Sequence, residues 1–306
     1  MMDDKGELNG LGWLRDYPDF RDFTMDRDEV PRNLRALGET DSVKDMLAKV
    51  GLADEVKPKA PSKVDLRQWC SPIEDQGSLG SCTANAGVAL TEYFERRAFG
   101  THLDASRIFL YKVTRNLMRQ TGDTGAYLRT TMAAMVLFGV PPEEYWPYDV
   151  SGFDKEPPAF CYSFAQNFQA LTYYRMDPPG TDKATLTNRI KLYLAAGLPS
   201  MFGFTVYTSI VQAGTNGGKI PFPTTGERVR GGHAVAAVGF DDELDIKNAS
   251  GGPATKGAFL IRNSWGTTWG DGGYGWLPYQ YITAGLAVDW WSLLRNKWID
   301  TGQFGL

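Results

Sequence analysis

The fold of this chain is decided by the stretch QGSLGSCTANAGVAL at residues 76–90. From Thr83 to Leu90 it is small and apolar all round, and charged residues begin only beyond that run. The pattern predicts a helix that is buried at its start and amphipathic at its end, with Gly100 as its stop. Cys82 would then lie at a helix N-terminus, where unpaired N–H groups and the helix dipole favour an anion.

Two further motifs follow far downstream. One is Gly232-His233-Ala234 and the other is Asn263-Ser264-Trp265-Gly266. A thiol can attack a carbonyl, an imidazole can take its proton, and an amide can orient the imidazole. A second amide, that of Gln76, stands six residues before the cysteine and could stabilise an oxyanion. The four residues together predict acyl-transfer chemistry.

These residues resemble the papain-like cysteine peptidases. The signature of that family is C-G-[SA]-C-[WY], with His and Asn roughly 130–150 residues downstream. Here the local string is LGSCT at residues 79–83, so its first and last positions depart from the pattern. His233 follows Cys82 by 151 residues, and Asn263 follows His233 by 30. The excess length is expected in a charged surface loop over 241–257.

The resemblance implies a role for each residue. Cys82 would be the nucleophile and His233 its base, held as a preformed thiolate–imidazolium pair. Asn263 would orient the imidazole, and Trp265 would shield that hydrogen bond from water. Gln76 would share the oxyanion hole with the backbone N–H of Cys82. Leu79 stands where plant and lysosomal members carry a disulfide cysteine, so that bridge cannot form.

The similarity covers about residues 61–290, and Pro18–Asp22 resembles a bacterial branch of the family. It also implies a P2 pocket between two walls. The expected lining residues are Met201 and Gly203 on one side, Gly125, Ala126 and Leu128 on the other, and Gly232 before the histidine. Because no charge is expected to reach this pocket, Leu, Val or an aromatic residue at P2 should be preferred over Arg or Glu.

The order of predicted elements indicates an α+β fold. Helices are expected over 81–99, 105–119 and 128–138, and short strands follow from 169 onward, with one helix over 186–196. By resemblance, this is a papain-like two-lobed fold. Its left lobe is helical, its right lobe is antiparallel and β-barrel-like, and the active-site cleft lies between. The predicted division is 1–60 for an N-terminal propeptide-like segment and linker, 61–168 for the lobe with the nucleophile, and 169–306 for the lobe with His and Asn.

The composition of the chain argues against several other classes of protein. The 306 residues carry a net charge of −4, without a basic stripe for a nucleic-acid partner. The longest apolar run, 132–140, is far too short to span a membrane. No secretory signal opens the sequence, and three cysteines suit a reducing compartment, so a cytoplasmic location is expected, with signal-less export left open. No metal or organic cofactor is needed for the predicted chemistry.

The first 63 residues differ from the rest. They hold 14 acidic and 11 basic residues, against 43 charged residues in the other 243. Pro18 and the surrounding residues predict an extended segment, followed by a short helix capped by Asp41 and a linker over 57–62. The large apolar side chains of the extended part are Trp13, Leu14, Tyr17, Phe20 and Phe23. We expect them to dock in the cleft, so that the segment is an intramolecular inhibitor; packing on the outer face is the alternative.

The sequence thus predicts a thiol protease: a cysteine endopeptidase, a hydrolase of peptide or protein substrates, made as a zymogen. Two rivals stay open. An acyltransferase or peptide ligase could use the same triad with an amine in place of water. A catalytically silent binding protein could share the fold.

Overall fold

The computed structural model describes residues 10–52, 60–169 and 171–306. The first residues, on which the expectation of no secretory signal rests, lie outside that description. So do residues 57–59 of the predicted linker and residue 170 of a predicted strand.

The helices of the described residues come mostly from the first half of the chain. They are α1 (Arg32–Ala36), α2 (Val43–Lys49), α3 (Cys82–Phe99), α4 (Arg107–Leu117), α5 (Leu128–Phe138), α6 (Ala159–Ala165), α7 (Lys183–Ala195), α8 (Gln280–Thr283) and α9 (Asn296–Ile299). Helix α3 begins at Cys82 and ends before Gly100, which adopts a left-handed conformation with φ of 79°. Glycine takes that conformation without a steric penalty, so it stops the helix as predicted.

The strands form one antiparallel sheet. They are β1 (Lys63–Asp65), β2 (Thr172–Arg175), β3 (Ser200–Tyr207), β4 (Val229–Ile246), β5 (Thr255–Arg262), β6 (Tyr274–Pro278) and β7 (Ala287–Leu294). Their order is β2-β7-β3-β4-β5-β6, and β1 pairs with β4. Within the described chain the two outer strands do not meet, so the sheet is not closed into a barrel. The predicted boundary at residues 168/169 falls just before β2, and the division into three parts stays a prediction.

The prediction of one long loop was wrong. Residues 241–257 were expected to form a long surface loop, but β4 continues to Ile246 and β5 begins at Thr255. The pairing Asp245↔Lys256 extends the hairpin beyond a shift in register between Asp241 and Asp245, so most of the stretch belongs to the two strands. Charges on this stretch are compatible with strands because an antiparallel hairpin can expose one of its faces to water.

Residues 10–26, here called the N-terminal segment, lie across the helical and sheet halves without forming a helix. Trp13 bridges to Ala126 ahead of α5, and Thr24 bridges to Arg175 on β2. The segment is extended as predicted, apart from turns at residues 20–22 and 25–26. Two of its aromatic side chains do not dock, however, because Tyr17 is 72% and Phe20 is 93% exposed.

Helix α2 attaches the chain beyond the segment to the body. Its N-cap is Ser42 rather than the predicted Asp41, because Ser42 and Asp45 satisfy each other's backbone N–H groups in a capping box. The Asn296 side chain accepts the N–H groups of Thr40 and Asp41 at 3.0 and 3.1 Å. These bonds join the residues just before α2 to the C-terminal helix α9.

No helix among the described residues is long and apolar enough to cross a membrane. The same residues contain no cluster of three or more His, Cys, Asp or Glu side chains that could hold a metal ion. Cys70, Cys82 and Cys161 are all buried and unbridged.

Candidate active site

The structure brings the predicted imidazole and amide into contact. His233 lies on β4, Asn263 directly follows β5, and these strands are neighbours in the sheet. His233 Nε2 and Asn263 Oδ1 are 2.7 Å apart. Because the amide oxygen can only accept, this hydrogen bond places the proton on Nε2 and leaves Nδ1 as the free nitrogen. Nδ1 has no hydrogen-bond partner among the described residues.

Trp265 covers this pair. Its ring stacks on His233 with centroids 4.4 Å apart and an interplanar angle of 25°. The indole is 3% exposed, and Trp269 packs edge-on against it. The indole thus lies over the imidazole, and its role as a shield of the hydrogen bond stays a prediction.

Gln76 is held in one orientation by its neighbours. Its Oε1 accepts the hydroxyl of Ser264 at 2.5 Å, and its backbone N–H donates to the Ser264 carbonyl at 2.9 Å. With Oε1 fixed, Nε2 must present its two hydrogens elsewhere. One goes to the Leu79 carbonyl at 2.6 Å and the other to the Gly10 carbonyl at 2.7 Å. The Ser264 contact was not predicted, although Ser264 stands inside the Asn-Ser-Trp-Gly motif.

The sulfur of Cys82 is fully buried. Burial raises the pKa of the thiol to about 11, against the opposing effect of the backbone N–H groups of Ala234, Gly12, Thr83 and Cys82 itself. Burial also lowers the pKa of His233 to about 4, against the opposing effect of its bond to Asn263. Burial therefore favours the neutral form of each group while the segment is in place, and the preformed thiolate–imidazolium pair stays a prediction.

The N-terminal segment excludes water here by very close backbone contact. A Cβ atom built on Gly12 would lie 1.9 Å from the Gly80 carbonyl oxygen, two residues from Cys82. The Gly12 carbonyl accepts the N–H of Ala126 at 2.8 Å, and Leu14 N–H donates back to the Ala126 carbonyl at 3.0 Å. Only glycine can occupy position 12 without moving the backbone of one side or the other.

Three of the predicted pocket residues, Ala126, Gly203 and Gly232, lie next to Trp13. A Cβ on Gly203 would lie 1.9 Å from Trp13 Cε2, and one on Gly232 would lie 2.7 Å from Cε3. Trp13 N–H also donates to the Gly232 carbonyl at 3.1 Å. A Cβ on Gly125 would lie 2.3 Å from the Gly12 carbonyl oxygen, so that glycine faces the segment's backbone. Met201 and Leu128 are buried in the same apolar core cluster as Trp13.

A charge does reach this pocket, contrary to the sequence-based expectation. Asp289 Oδ2 accepts the indole N–H of Trp13 at 3.1 Å, and Asp289 is fully buried. Its strand β7 was not predicted. The available signal was a single acidic residue within the otherwise uncharged stretch 287–294, where burial would require a partner.

The chain is similar in sequence to known proteins. The family description "Papain family cysteine protease" matches residues 60–289. An uncharacterised peptidase C1-like protein of Acanthamoeba polyphaga mimivirus is 33% identical over 299 residues, which are 95% of this chain and 89% of that protein. Cathepsin K of Gallus gallus is 29% identical over 71% of this chain and 58% of its own length.

Among solved structures, xylellain, a cysteine protease from Xylella fastidiosa, superposes with a TM-score of 0.70. The two chains are 32% identical, and the match covers 94% of this chain and 97% of that one. The family description begins at residue 60 and leaves the N-terminal segment out, whereas the match to xylellain extends over nearly the whole chain.

Proposed function

Since the chain belongs to the papain family of cysteine proteases, we propose that it is an endopeptidase held inactive by its own N-terminal segment. The family makes it a cysteine-type peptidase, a hydrolase. The proposal adds the residues that act, the mode of inhibition and the position of the bond that is cut.

One observation carries the inhibitory part. Residues 10–14 engage three predicted elements of the site at the same time. Gly10 accepts from the proposed oxyanion donor Gln76, the N–H of Gly12 is near enough to Cys82 to lower the pKa of its thiol, and Trp13 fills the pocket beside Gly203. A substrate would need all three positions, so it cannot bind while the segment is in place.

The segment differs from a substrate in how its Gly12 carbonyl is held. That oxygen accepts the N–H of Ala126 at 2.8 Å, so it is not bound by the proposed oxyanion donors. Attack on a peptide requires the thiolate to approach a carbonyl carbon whose oxygen lies in the oxyanion hole. In the segment the carbonyl that meets Gln76 is that of Gly10, two residues before Gly12. We infer that the segment occupies the cleft as an inhibitor.

Release of the segment would return water to the cleft and remove most of the burial that keeps Cys82 and His233 neutral. The proton can then pass from the thiol to His233 Nδ1, the nitrogen without a partner among the described residues. Sγ attacks the substrate carbonyl carbon, and Gln76 Nε2 and the backbone N–H of Cys82 stabilise the oxyanion. As the C–N bond breaks, His233 gives its proton to the leaving amine.

The second half of the cycle consumes water. His233, now neutral, takes a proton from water, the hydroxide attacks the thioester carbonyl, and the C–S bond breaks to restore Cys82. Asn263 keeps the imidazole in the tautomer that serves both halves. It is a positioning residue, so its loss should reduce turnover less than the loss of Cys82 or His233.

The small number of histidines indicates that the enzyme cleaves peptide bonds within a chain rather than dipeptides from its C-terminus. Carboxydipeptidases of the family hold the substrate's terminal carboxylate with histidines on an occluding loop. This chain has two histidines in all, and His233 is the proposed base. The remaining His102 cannot supply such a pair, so stepwise release of C-terminal dipeptides is not expected.

The test uses the full-length protein and one substitution that opens the cleft. Gly12→Leu adds a side chain where the Gly80 backbone leaves no room, so it should displace the segment and raise peptide turnover. Gly214→Leu is the matched control, because nothing lies within 4 Å of a Cβ at that exposed glycine. In the Gly12→Leu background, Cys82→Ala and His233→Ala should each abolish turnover, and Asn263→Ala should leave a measurable remainder.

Two results would contradict the proposal. Equal turnover by the wild-type protein and a folded Gly12→Leu variant would show that the segment does not inhibit. Turnover that survives Cys82→Ala would remove Cys82 as the nucleophile.

A further inference from the structure

The pocket that holds Trp13 has the shape of a flat ring. Gly203 on β3 and Gly232 on β4 present no side chain to it, and the indole lies directly against both. Trp13 is 6% exposed although it belongs to the N-terminal segment rather than to the body. Any larger residue at either glycine would close this space, so the body of the protein has a cavity fitted to a large planar side chain.

At the floor of the pocket, one oxygen of Asp289 accepts a hydrogen bond from the side chain that fills the pocket. Asp289 Oδ1 is committed to the protein, because it accepts the indole N–H of Trp291 at 2.7 Å and lies 3.2 Å from a guanidinium nitrogen of Arg175. Oδ2 is the oxygen that faces the pocket, where it accepts from Trp13 Nε1 at 3.1 Å. One oxygen therefore holds the carboxylate in place and the other is available to a ligand.

The backbone around Asp289 fixes that direction. Asp289 has φ of 65°, a left-handed conformation that few side chains other than Asn and Asp tolerate. Its N–H donates to Asp177 Oδ2 at 2.8 Å, and the next N–H, from Trp290, donates to Asp177 Oδ1 at 3.1 Å. Arg175 Nε contacts the same Asp177 at 2.9 Å. A strained conformation with this many supports is typical of functional positions.

We propose that this pocket selects tryptophan in the substrate and that Asp289 is the residue that determines this specificity. The inference rests on the proposed function, because the residue that enters the pocket is then the P2 residue of a peptide. Trp13 occupies the pocket in the closed protein with the contacts that a substrate tryptophan would make.

Phenylalanine and leucine would fill the same space without the hydrogen bond. A Phe side chain would leave Asp289 Oδ2 buried without a donor. An unpaired buried acceptor costs more than the bond itself contributes, and hydrogen bonds to charged groups are the stronger ones. Sites built to bind a donor reject analogues that lack it more strongly than apolar sites reject a missing methylene.

Arginine is also disfavoured, although an acid forms the floor. A guanidinium binds a carboxylate best through two oxygens, and Asp289 Oδ1 is already occupied. Arg175, 1% exposed, places a buried positive charge against the same carboxylate. A second guanidinium would have to be desolvated beside it. Burial raises the pKa of Asp289 to about 6 despite Arg175, so the group is still mostly ionised at pH 7. Arginine is therefore disfavoured by Arg175 and by the occupied Oδ1.

The experiment uses the full-length Gly12→Leu variant and blocked peptides that differ only at P2. Tryptophan should exceed phenylalanine, leucine and arginine in kcat/KM by about tenfold or more. 1-Methyltryptophan, which lacks the N–H donor, should fall to the level of phenylalanine or below. Asp289→Asn in the same background keeps the shape but not the charge, so the ratio of tryptophan to phenylalanine should decrease while a melting curve checks folding.

Each outcome decides the inference. A P2 profile led by phenylalanine, leucine or arginine overturns it and leaves the proposed function standing. If no peptide is cleaved, the proposed function fails, and calorimetric titration of the same peptides into the Gly12→Leu, Cys82→Ala protein then decides. Binding of the tryptophan peptide about tenfold tighter than the phenylalanine peptide supports the inference, and equal affinities overturn it.

Discussion

The two ends of the N-terminal segment are held by different forces. Residues 10–14 carry no charge and reach the cleft through backbone groups and one indole. Residues 16–24 are held chiefly by charge: Arg129 binds Asp16, Asp22 and the carbonyl of Tyr17, and Arg175 lies 3.5 Å from Asp22. Asp22 has only 4% of its side chain exposed, so this second attachment is partly buried.

This difference suggests separate roles: the first end would block the cleft, and the second end would hold the segment on the body of the protein. The first end depends on close fit, which salt does not weaken, and it touches the groups proposed to do the chemistry. The second end depends on ion pairs, and it touches none of them. Variants that affect one end should therefore differ from variants that affect the other in both size and salt dependence.

The largest effect is expected from Trp13→Ala. The change removes a buried indole and its hydrogen bond to Asp289, and Trp→Ala substitutions in cores cost about 3–5 kcal/mol. The closed arrangement should lose about that much relative to the open one. Basal peptide turnover by full-length protein should rise accordingly, and Tyr17→Ala, at a site 72% exposed, is the control. Unchanged turnover would mean that Trp13 is not the principal contact of the first end.

A second expected difference concerns the thiol. Because burial raises the pKa of Cys82 to about 11, its thiolate is scarce at pH 7 in the closed protein. Alkylation by iodoacetamide should then be about 100-fold slower than in the Gly12→Leu variant. In wild type the rate should climb with pH through pH 9, whereas in the variant it should level off below pH 8. Mass spectrometry of the labelled peptide distinguishes Cys82 from Cys70 and Cys161, and matching pH profiles would refute this.

The charged end should respond more weakly. Arg129→Ala leaves Asp22 buried with only the more distant Arg175, at a cost of about 1–3 kcal/mol to the closed arrangement. Wild-type turnover should accordingly rise with ionic strength, and this salt dependence should shrink in the variant. A salt response that Arg129→Ala leaves untouched would assign the electrostatics to other residues.

The smallest effect is expected at the exposed turn. Arg21 pairs with Asp19 at 2.8 Å, but its side chain is 76% exposed. Solvent screens an exposed ion pair, so Arg21→Ala should barely change turnover. It is the matched control for Arg129→Ala, since both remove one guanidinium from an acidic partner in the same segment. An effect as large as that of Arg129→Ala would indicate that the turn itself is needed for inhibition.

Local signals in the sequence were sufficient for much of the fold. The apolar run after Cys82 and the glycine at 100 predicted α3, and residues 128–138 form α5 as predicted. The papain-like α+β fold and the bacterial likeness were predicted as well and are confirmed by the match to xylellain. Short motifs sufficed because the family's Cys, His and Asn each stand in a distinctive context.

The errors came from long-range contacts. Strand β7 and Asp289 were missed because the partners of that acid, Arg175 and Trp13, are 114 and 276 residues away. Cys82 and His233 were considered without the segment, so the effect of burial on both pKa values was missed. Tyr17 and Phe20 were counted among the docked aromatics, since composition cannot distinguish an exposed turn from a buried strand.

The bonds that join Asn296 to residues 40 and 41 would make the proposed inhibitory segment a tethered one. Phe23, near the end of the segment, is connected to that anchor by fewer than twenty residues. A segment on such a short tether stays at an effective concentration in the millimolar range after it leaves the cleft. Opening is thus reversible within one molecule, and independent of protein concentration. A single cut between Phe23 and Glu39 would replace that intramolecular equilibrium with a bimolecular one, and dilution would then keep the enzyme open.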